Sequence, residues 1–446
     1  MGTDAPTTEV NSAAIDLKQL RPGDWLTVTV DRFDSKYLGE TRLQGKTLLV
    51  PGSLPGETIR GQVLRNWKRC LVLRPVEILT PDPRRVEPHC QHFALCAGCQ
   101  FQHVDYAEQL VIKRSRLESF FEPEHPVQPL PLRGIIGSTH PYAYRNSIKV
   151  HGPGEPGFWQ VKGIDMLRNR ECPICVSEVE DSLKQQRESG FQEFVDRNVL
   201  NILIRATSIG DTYLGPEQPK ADEVAWLTEA IAHPLTEESL QLVVPAHAFW
   251  QGSTPMLPRL IEEAVRPIRD FAPELLIETY CGMGLFGIMS APFAARVIGV
   301  EDHPLAIEAA RRNQTHLQLP NWEIIHDKTE NRLEALLAEA PERTSLIVDP
   351  PRSGLPKKVL KQILRCPPQH LVYVSCNPES LARNLNKLCR ETFQLQDIVG
   401  IDLFPQTKHL ECVCVLQRRE SWTRSPETSA SAPATDTAEP VAETED

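Results

Sequence analysis

The 446-residue sequence predicts a doubly wound, Rossmann-like α/β domain that follows a small β-barrel and a mixed α/β central domain. Within residues 251–420, runs typical of buried strands alternate with helical runs, which is the pattern of a parallel sheet covered by helices. Residues 17–79 contain several short strand-like runs separated by Pro and Gly turns, and this spacing predicts the barrel. Residues 80–250 mix strand-like and helix-like pieces and form the predicted central domain.

The composition is that of a protein with ordinary cores, since 41% of the residues are hydrophobic and 24% are charged. No apolar run approaches the ~18 residues of a membrane-spanning helix, and the first residues lack a signal-peptide pattern. We therefore expect a cytoplasmic protein with no membrane partner and no obligate protein partner. Residues 1–16 and 421–446 are poor in large apolar residues, so we expect two disordered tails, the second of them acidic.

The charge is unevenly distributed along the chain. The formal net charge is −11, but residues 425–446 hold six acids and no Lys or Arg. Residues 17–79 hold eleven Lys and Arg against six Asp and Glu. A basic barrel is compatible with a phosphate-bearing partner such as RNA, and its alternative role is that of a structural cap.

The cysteines of the central region suggest a metal site. Without a signal peptide, the 12 cysteines do not predict a disulfide framework. Cys90, Cys96 and Cys99 form a tight triplet, and Cys172 and Cys175 form a later C-x2-C pair. Cys96, Cys99, Cys172 and Cys175 would suit zinc, whereas Cys90, Cys96, Cys99 and Cys172 would suit a 4Fe–4S cluster. A helix is predicted after the triplet, at residues 107–121, with an apolar face formed by four residues, Leu110, Ile112, Leu117 and Phe120.

A glycine-rich turn follows the first strand of the α/β domain. Gly282, Gly284 and Gly287 satisfy G-x-G-x-x-G, and the next strand ends at Glu301, nineteen residues after Gly282. The glycines let the backbone approach a ligand, and a carboxylate at this place can bind a ribose diol. Dinucleotide sites and S-adenosylmethionine sites both use this arrangement.

Two later strand ends favour S-adenosylmethionine. The fourth strand ends in Asp349-Pro-Pro, which is a feature of methyltransferases that act on nucleobases. The fifth ends in Ser-Cys376-Asn-Pro, and a further acid, Glu411, interrupts an apolar strand-like run near residue 416. Ligands of such sheets bind at the carboxyl ends of the strands, so we expect these groups to lie near one another.

Over residues 21–417 the sequence resembles the RNA uridine C5-methyltransferases, which depend on S-adenosylmethionine. The resemblance rests on the segments above, on the cysteine cluster and on four further motifs, at residues 50–57, 144–146, 249–251 and 409–411. The first of these, in the barrel, is similar to a TRAM domain. The resemblance implies methylation of C5 of a specific uridine in RNA, with 23S rRNA as the expected substrate and transfer RNA as the alternative.

The resemblance also implies roles for individual residues. Cys376 would add to C6 of uracil, and Glu411 would remove the C5 proton after methyl transfer, because uracil C5 is by itself a poor nucleophile. Four residues would contact S-adenosylmethionine or shape its pocket: Gln251, Tyr280, Glu301 and Asp349. The implied ligands of a 4Fe–4S cluster are Cys90, Cys96, Cys99 and Cys172. Leu285 and Lys328 stand where some family members carry Asn.

Two readings from other classes remain open at this point. An iron–sulfur oxidoreductase with a dinucleotide cofactor would use the glycine turn and the cysteines, but it leaves Cys376 and Glu411 without a role. A non-catalytic RNA-binding protein would not need these two residues either. Binding of S-adenosylmethionine rather than a nicotinamide cofactor would separate the first reading from the methyltransferase.

Overall fold

The computed structural model describes residues 16–122, 124–152, 156–163, 165–220, 223–236 and 238–422. The two predicted tails therefore lie outside the described residues, except for residue 16 and residues 421–422. Within the described part of the chain, no helix combines the length and the apolar character that crossing a membrane requires.

The N-terminal region is β-rich, as predicted. Its strands form one six-stranded sheet in the order β1-β5-β6-β4-β3-β2. They are β1 (Trp25–Thr29), β2 (Arg32–Phe33), β3 (Gly39–Leu43), β4 (Lys46–Val50), β5 (Thr58–Asn66) and β6 (Cys70–Thr80). Alternate side chains of β1 and β5 are buried, and their apolar residues meet in one core that includes Leu26, Ile59 and Leu71.

The helix predicted at residues 107–121 is present as α1 (Tyr106–Ser119), and the Asp105 carboxylate caps it by accepting from Ala107 N at 2.9 Å. The predicted apolar face is confirmed in part: Leu117 is buried, and Ile112 and Phe120 are half-buried against apolar cores, but α1 also buries Gln109 and Lys113. The reason is that this helix packs on polar groups of a later loop, so that two polar side chains are buried with partners. Hydrophobic periodicity detects only apolar burial.

The central region contains two small sheets, a hairpin and two helices. The strand pair β9 (Phe158–Trp159) and β10 (Met166–Leu167) is short, and β13 (Trp226–Ala232) pairs with β14 (Ser239–Pro245). The three-stranded sheet has the order β12-β11-β8. Its strands and the two helices near it are β8 (Ser147–His151), α2 (Ser177–Glu188), α3 (Gln192–Asp196), β11 (Asn201–Ala206) and β12 (Thr212–Pro216). Val179 and Leu183 of α2 pack on Ile202 and Ile204 of β11.

The α/β prediction is confirmed. The helices of this region are α4 (Leu257–Phe271), α5 (Leu285–Ser290), α6 (Pro304–His316), α7 (Thr329–Ala338), α8 (Lys357–Arg365) and α9 (Pro378–Leu388). The strands are β15 (Leu275–Thr279), β16 (Arg296–Glu301), β17 (Trp322–His326), β18 (Thr344–Val348), β19 (His370–Ser375), β20 (Phe393–Ile401) and β21 (Glu411–Arg418). Five of these strands, β15 to β19, are parallel, and β21 runs antiparallel to both β19 and β20.

An eighth strand joins this sheet from outside the predicted α/β range. β7 (Leu132–Ile136) pairs in parallel with β20, and the complete order is β17-β16-β15-β18-β19-β21-β20-β7. β7 therefore belongs to this sheet although it lies before residue 250, where the start of the α/β domain was expected. β15 lies between β16 and β18, so the strands that follow it in the chain are added first on one side of it and then on the other. A ligand crevice is expected at the carboxyl ends of the strands at such a point.

Candidate active site

The glycine turn between β15 and α5 requires glycine for steric reasons. Gly284 has φ +86°, and a Cβ atom there would lie 2.1 Å from the buried ring of Trp322. Tyr280 also has a positive φ, +59°, which is uncommon for a residue with a side chain and is typical of functional turns. The Tyr280 hydroxyl lies near Thr329 but makes no hydrogen bond of normal geometry within the described residues.

Glu301 connects the end of β16 to this turn. One oxygen of its carboxylate accepts from Gly282 N at 2.8 Å, and the other accepts from His303 N at 2.9 Å. Asp302 N also donates to this second oxygen, at 3.0 Å. A carboxylate has about four lone-pair sites, so one acceptor position remains for a ligand hydroxyl. Glu301 therefore lies where a ribose-binding acid is expected, next to the glycine turn.

Cys376 lies in the short turn between β19 and α9. The Asn377 side chain caps α9 by accepting from Glu379 N at 3.2 Å, and Pro378 occupies the first helical turn. The strand therefore ends at Ser375, and Cys376 is partly exposed rather than packed in the core. The sequence Ser-Cys-Asn-Pro thus encodes both the end of the strand and the accessibility of the thiol.

Glu411 and Asp349 lie close to this thiol. β21 begins beside the end of β19, with Ser375 opposite Cys412, so Glu411 is next to the Cys376 turn. Burial raises the pKa of Asp349 to about 7, and it raises the pKa of Glu411 well above its usual range, with a further increase from the neighbouring Asp349. Burial and these two carboxylates also raise the pKa of Cys376 to about 11.

Arg352 is a residue of this site that sequence reasoning missed. It follows the Asp-Pro-Pro segment, and its carbonyl accepts from Asn377 Nδ2 at 2.9 Å, which joins the two strand-end loops. Its guanidinium is close enough to Cys376 and Glu411 to lower the pKa of both, against the larger effect of burial. The one signal in the sequence was its position three residues after Asp349.

A cavity of about 320 Å³, here named the Cys376 cavity, opens above the thiol. Its walls come from the β2–β3 loop of the N-terminal sheet, from α1 and from the loops after β18, β19 and β20. Five of its residues are Lys or Arg, namely Lys36, Lys113, Arg116, Arg352 and Lys408. Glu379 is the one acid among the residues that line it. Lys113 is neutralised by the buried Asp402, and the other four cations give the cavity a positive charge that suits a polyanion.

The wall between the N-terminal sheet and α1 is formed by stacked side chains. The Arg116 guanidinium lies over the rings of both Tyr37 and Phe120, at 5.1 and 5.0 Å from their centroids. On the opposite wall, His409 has its pKa lowered to about 4 by burial and by the nearby Arg352 and Lys408 cations. His409 is consequently neutral at physiological pH and contributes no charge to the cavity.

A second cavity, of about 290 Å³, is lined by Cys90, Cys96, Cys99 and Cys172 and is here named the thiol cavity. Cys175 is not among its lining residues; it is 2% exposed and packs in the α2 core. In the described part of the chain, no three His, Cys, Asp or Glu residues are grouped closely enough to hold a single metal ion. The four thiols thus line one common space.

Gln251 lies apart from the Cys376 cavity. Its side chain is buried, and its carbonyl accepts from Asn146 Nδ2 at 2.9 Å, while Gly252 O accepts from Asn146 N at 3.2 Å. The 144–146 segment therefore holds the segment that contains Gln251. Of the sequence-predicted residues, the structure brings Cys376, Glu411 and Asp349 together and places Tyr280 and Glu301 at the glycine turn.

Comparisons with known proteins agree with this geometry. The family model for tRNA (uracil-5-)-methyltransferase matches residues 233–419, which include β14 to β21. An uncharacterized RNA methyltransferase of Halalkalibacterium halodurans is 28% identical over 444 residues, with 88% of this chain and 97% of that protein covered. The chain belongs to the family of S-adenosylmethionine-dependent RNA uracil-5-methyltransferases.

Two further relatives of this methyltransferase have more specific descriptions. A 23S rRNA (uracil(1939)-C(5))-methyltransferase of Aeromonas hydrophila is 26% identical, with 88% of this chain and 96% of that protein covered. The structure of the Pyrococcus abyssi tRNA (uracil-54, C5)-methyltransferase in complex with S-adenosyl-L-homocysteine has a TM-score of 0.63 at 22% identity. It covers 88% of this chain and 100% of that chain, so the two share a fold over nearly the whole length. Membership of this family sets aside the oxidoreductase and non-catalytic interpretations.

Proposed function

We propose that this methyltransferase modifies C5 of a uridine in 23S rRNA through a covalent bond between Cys376 Sγ and C6 of the uracil. The observation that carries the proposal is the meeting of the Cys376 thiol with the Glu411 and Asp349 carboxyls beside a cavity lined by five cations. A thiol next to two buried acids suits a reaction with a nucleophilic step and a proton-transfer step.

In the first step, Cys376 attacks C6 as a thiolate, because the ionised sulfur is the nucleophile. The resulting enolate has a nucleophilic C5. Arg352 favours the thiolate, since it lowers the pKa that burial and the two carboxylates raise. S-adenosylmethionine, when bound, supplies an electrophilic methyl group to this carbon.

In the second step, Glu411 accepts the proton that C5 still carries. The electron pair of the C5–H bond forms the C5–C6 double bond, and the Cys376 thiolate leaves. The raised pKa of Glu411 makes its carboxylate a stronger proton acceptor than an exposed carboxylate. Asp349 raises the Glu411 pKa further, and its carboxyl, near the thiol, would border both the uracil and the methyl donor.

The methyl donor is proposed to bind across the glycine turn. Glu301 would accept from the ribose hydroxyls, and Tyr280 has a buried hydroxyl without a partner of normal geometry among the described residues. Asp349 would border the methyl group from the end of β18. Gln251 is proposed to shape the pocket from the α4 side.

The four thiols of the thiol cavity are proposed to hold a 4Fe–4S cluster. The lining of the cavity supports this set over the zinc set, because it contains all four of these thiols and not Cys175. The cluster would tie the segment at residues 90–99 to the loop at residue 172, since the methyl transfer itself needs no electron transfer.

RNA would enter through the Cys376 cavity. The N-terminal sheet, which we propose is a TRAM domain, contributes Lys36 to the cavity wall, so the same region would bind backbone phosphates near the target base. A uracil must be unstacked from its neighbours to reach the thiol at the cavity floor. The cations would thus supply affinity, and the pocket would select the base.

The choice of 23S rRNA over transfer RNA rests on the Aeromonas relative and on the pairing of a TRAM-like region with a cluster. Mapping of 5-methyluridine in ribosomal and transfer RNA from a deletion strain tests it. We expect one 23S rRNA position to lose the methyl group and to regain it from the purified protein. Loss in transfer RNA alone would establish the alternative substrate, and unchanged 5-methyluridine in both RNAs would contradict the proposed function.

A further inference from the structure

Two glutamine residues connect the thiol cavity to the strand that carries Glu411. We infer that Gln100 and Gln406 are positioning residues that transmit the state of the thiol cavity to the Glu411 carboxylate. The inference rests on the proposed function, because it takes Glu411 as the base and the four thiols as ligands of one group. It adds a physical route by which a group bound in the thiol cavity affects the position of Glu411.

Gln100 follows Cys99, and its side chain makes two hydrogen bonds, one as donor and one as acceptor. Its Nε2 donates to Ala97 O at 3.0 Å, which closes the turn from Cys96 to Cys99. Its Oε1 accepts from Lys408 N at 3.1 Å, and Lys408 lies three residues before Glu411. A single side chain therefore bonds to both the cysteine turn and the segment that leads into β21.

Gln406 reinforces this connection through its backbone. Its carbonyl accepts from Gln100 N and from Phe101 N, both at 2.9 Å, and its own N–H donates to Gln109 Oε1 at 3.0 Å. The residue is 2% exposed and has φ +67°. A non-glycine residue keeps this left-handed conformation only where its surroundings determine it, so the cysteine segment and α1 together fix its position.

The rest of the loop is fixed from the same two sides. On the α1 side, Lys113 Nζ donates to Asp402 at 2.6 Å and to Phe404 O at 3.1 Å. On the thiol-cavity side, the Tyr144 hydroxyl donates to Pro405 O at 2.8 Å, and the next residue, Arg145, lines the thiol cavity. The segment from residue 402 to residue 408 thus has little freedom to move unless one of these supports moves.

The consequence concerns one step of the reaction. When the four thiols share a bound group, the turn from Cys96 to Cys99 is fixed, and through Gln100 so is the start of β21. When the group is removed, the turn relaxes and Glu411 moves from its position. Because Glu411 acts after methyl transfer, we expect loss of the bound group to slow release of the adduct more than its formation. A displacement of about 1 Å is enough to change such a step by up to roughly a hundredfold.

Substitutions of Gln100 test the connection. Gln100→Met removes both hydrogen bonds at similar size, whereas Gln100→Glu keeps an oxygen to accept from Lys408 N. The matched control is Gln128→Met, because the Gln128 side chain likewise makes two hydrogen bonds to backbone groups, both as donor, and lines neither cavity. Each protein is assayed for iron content, for hydrogen exchange of residues 404–411 without RNA, and for the formation and decay of the covalent protein–RNA adduct.

We expect Gln100→Met to retain its iron and to form the adduct at the wild-type rate. Its adduct should decay at least tenfold more slowly, and residues 404–411 should exchange faster. Gln128→Met should behave as wild type, and Gln100→Glu, which keeps the bond from Lys408 N but loses the bond to Ala97 O, should lie between wild type and Gln100→Met. Iron-free wild-type protein should resemble Gln100→Met, and iron removal from Gln100→Met should add no further change, since both perturbations act on one route.

The inference would be overturned if Gln100→Met showed the wild-type rates of hydrogen exchange at residues 404–411 and of adduct decay. It would also be overturned if the substitution and iron removal slowed adduct decay independently, so that their effects multiplied. These outcomes differ from a failure of the proposed function, in which the wild-type protein itself forms no adduct with a uridine-containing RNA. In that case the hydrogen-exchange measurement still shows whether Gln100 connects the thiol cavity to β21, because it needs neither RNA nor turnover.

Discussion

The Cys376 cavity and the thiol cavity both contain partly buried cysteines, and the two sites differ in the neighbours of their thiols. Burial raises the pKa of Cys376 to about 11 and that of Cys96 likewise to about 11, so acidity does not distinguish these two thiols. The thiol cavity presents four sulfurs to one space, whereas the Cys376 cavity has a single sulfur among five cations. We therefore assign cluster binding to the thiol cavity and nucleophilic attack to Cys376 from the number of converging thiols and the surrounding charge.

This difference has a physical basis. Four thiolates in one cavity repel one another unless a cationic inorganic group neutralises them, so their convergence favours a bound cluster. A single thiol that must attack a nucleotide needs an open approach, cations that attract the phosphates and a base close by. Cys376 has these three features, with Arg352 and Glu411 as its immediate neighbours.

The largest effect is expected from removal of the single thiol. Cys376→Ala should abolish methylation and adduct formation, because no other group in the cavity can add to C6. Its iron content should equal that of the wild type, since the residue belongs to the other site. The measurement is transfer of a radiolabelled methyl group to RNA, together with a denaturing gel. Residual turnover would mean that the nucleophile is a different residue.

The second prediction concerns the four converging thiols. Protein purified without oxygen should contain about four irons per chain, the number in a cubane held by four thiolates. Cys172→Ser should lose this iron, whereas Cys175→Ser should keep it, because Cys175 packs in the α2 core. The two residues share one C-x2-C pair and thus form a matched comparison by iron analysis and absorbance. Stoichiometric zinc without iron would contradict the cluster assignment.

A smaller effect is expected at the glycine turn. Glu301→Ala removes a carboxylate that accepts from Gly282 N and that is proposed to bind the ribose. A lost hydrogen bond to a charged group is worth roughly 1.5–3 kcal/mol, which is about a ten- to hundredfold weaker affinity for S-adenosylmethionine. Titration calorimetry measures this, with the exposed Glu308→Ala as the control. Unchanged affinity would mean that the methyl donor does not cross this crevice.

The smallest expected effect is a shift in pH dependence. Only the thiolate attacks, and the pKa of Cys376 is raised to about 11, so adduct formation should become faster as the pH rises from 7 to 9. Arg352→Gln removes the cation that lowers this pKa. The rate at a given pH should fall about tenfold, and the profile should move to higher pH.

Arg116→Gln is the control for this measurement. Arg116 lines the same cavity, but it is not among the charges that shift the Cys376 pKa. Arg116→Gln should weaken RNA binding and make that binding less dependent on salt concentration. It should not move the pH profile of adduct formation. A profile that moves equally in both variants would contradict the assigned role of Arg352.

The sequence was sufficient for the parallel strands, the glycine turn and the strand-end residues, because each depends on local patterns of a few residues. The apolar runs of β15, β16, β18 and β19 are buried on both faces and have a clear signal. The place of β7 in the sheet could not be predicted, since a five-residue strand carries no information about its distant partner β20.

The polar connections of the site were also beyond sequence reasoning. Lys113 and Gln109 look like exposed helix positions, yet they are buried because Asp402 and Gln406 lie opposite them in the fold. Gln100 has no pattern of its own, and its importance appears only when Lys408, some three hundred residues later in the chain, is seen to donate to it. Pairing of polar groups over long sequence distances is decided by the tertiary structure.

The central claim is that one thiol and one carboxylate act in successive steps, and Glu411→Gln tests it most directly. The variant keeps the size of the side chain but cannot accept the C5 proton, so the thiol should add, the methyl group should transfer and the RNA should remain attached. On a denaturing gel, RNA with a labelled methyl group should therefore migrate with the Glu411→Gln protein and not with Cys376→Ala. Free methylated RNA produced by Glu411→Gln at the wild-type rate would contradict the claim.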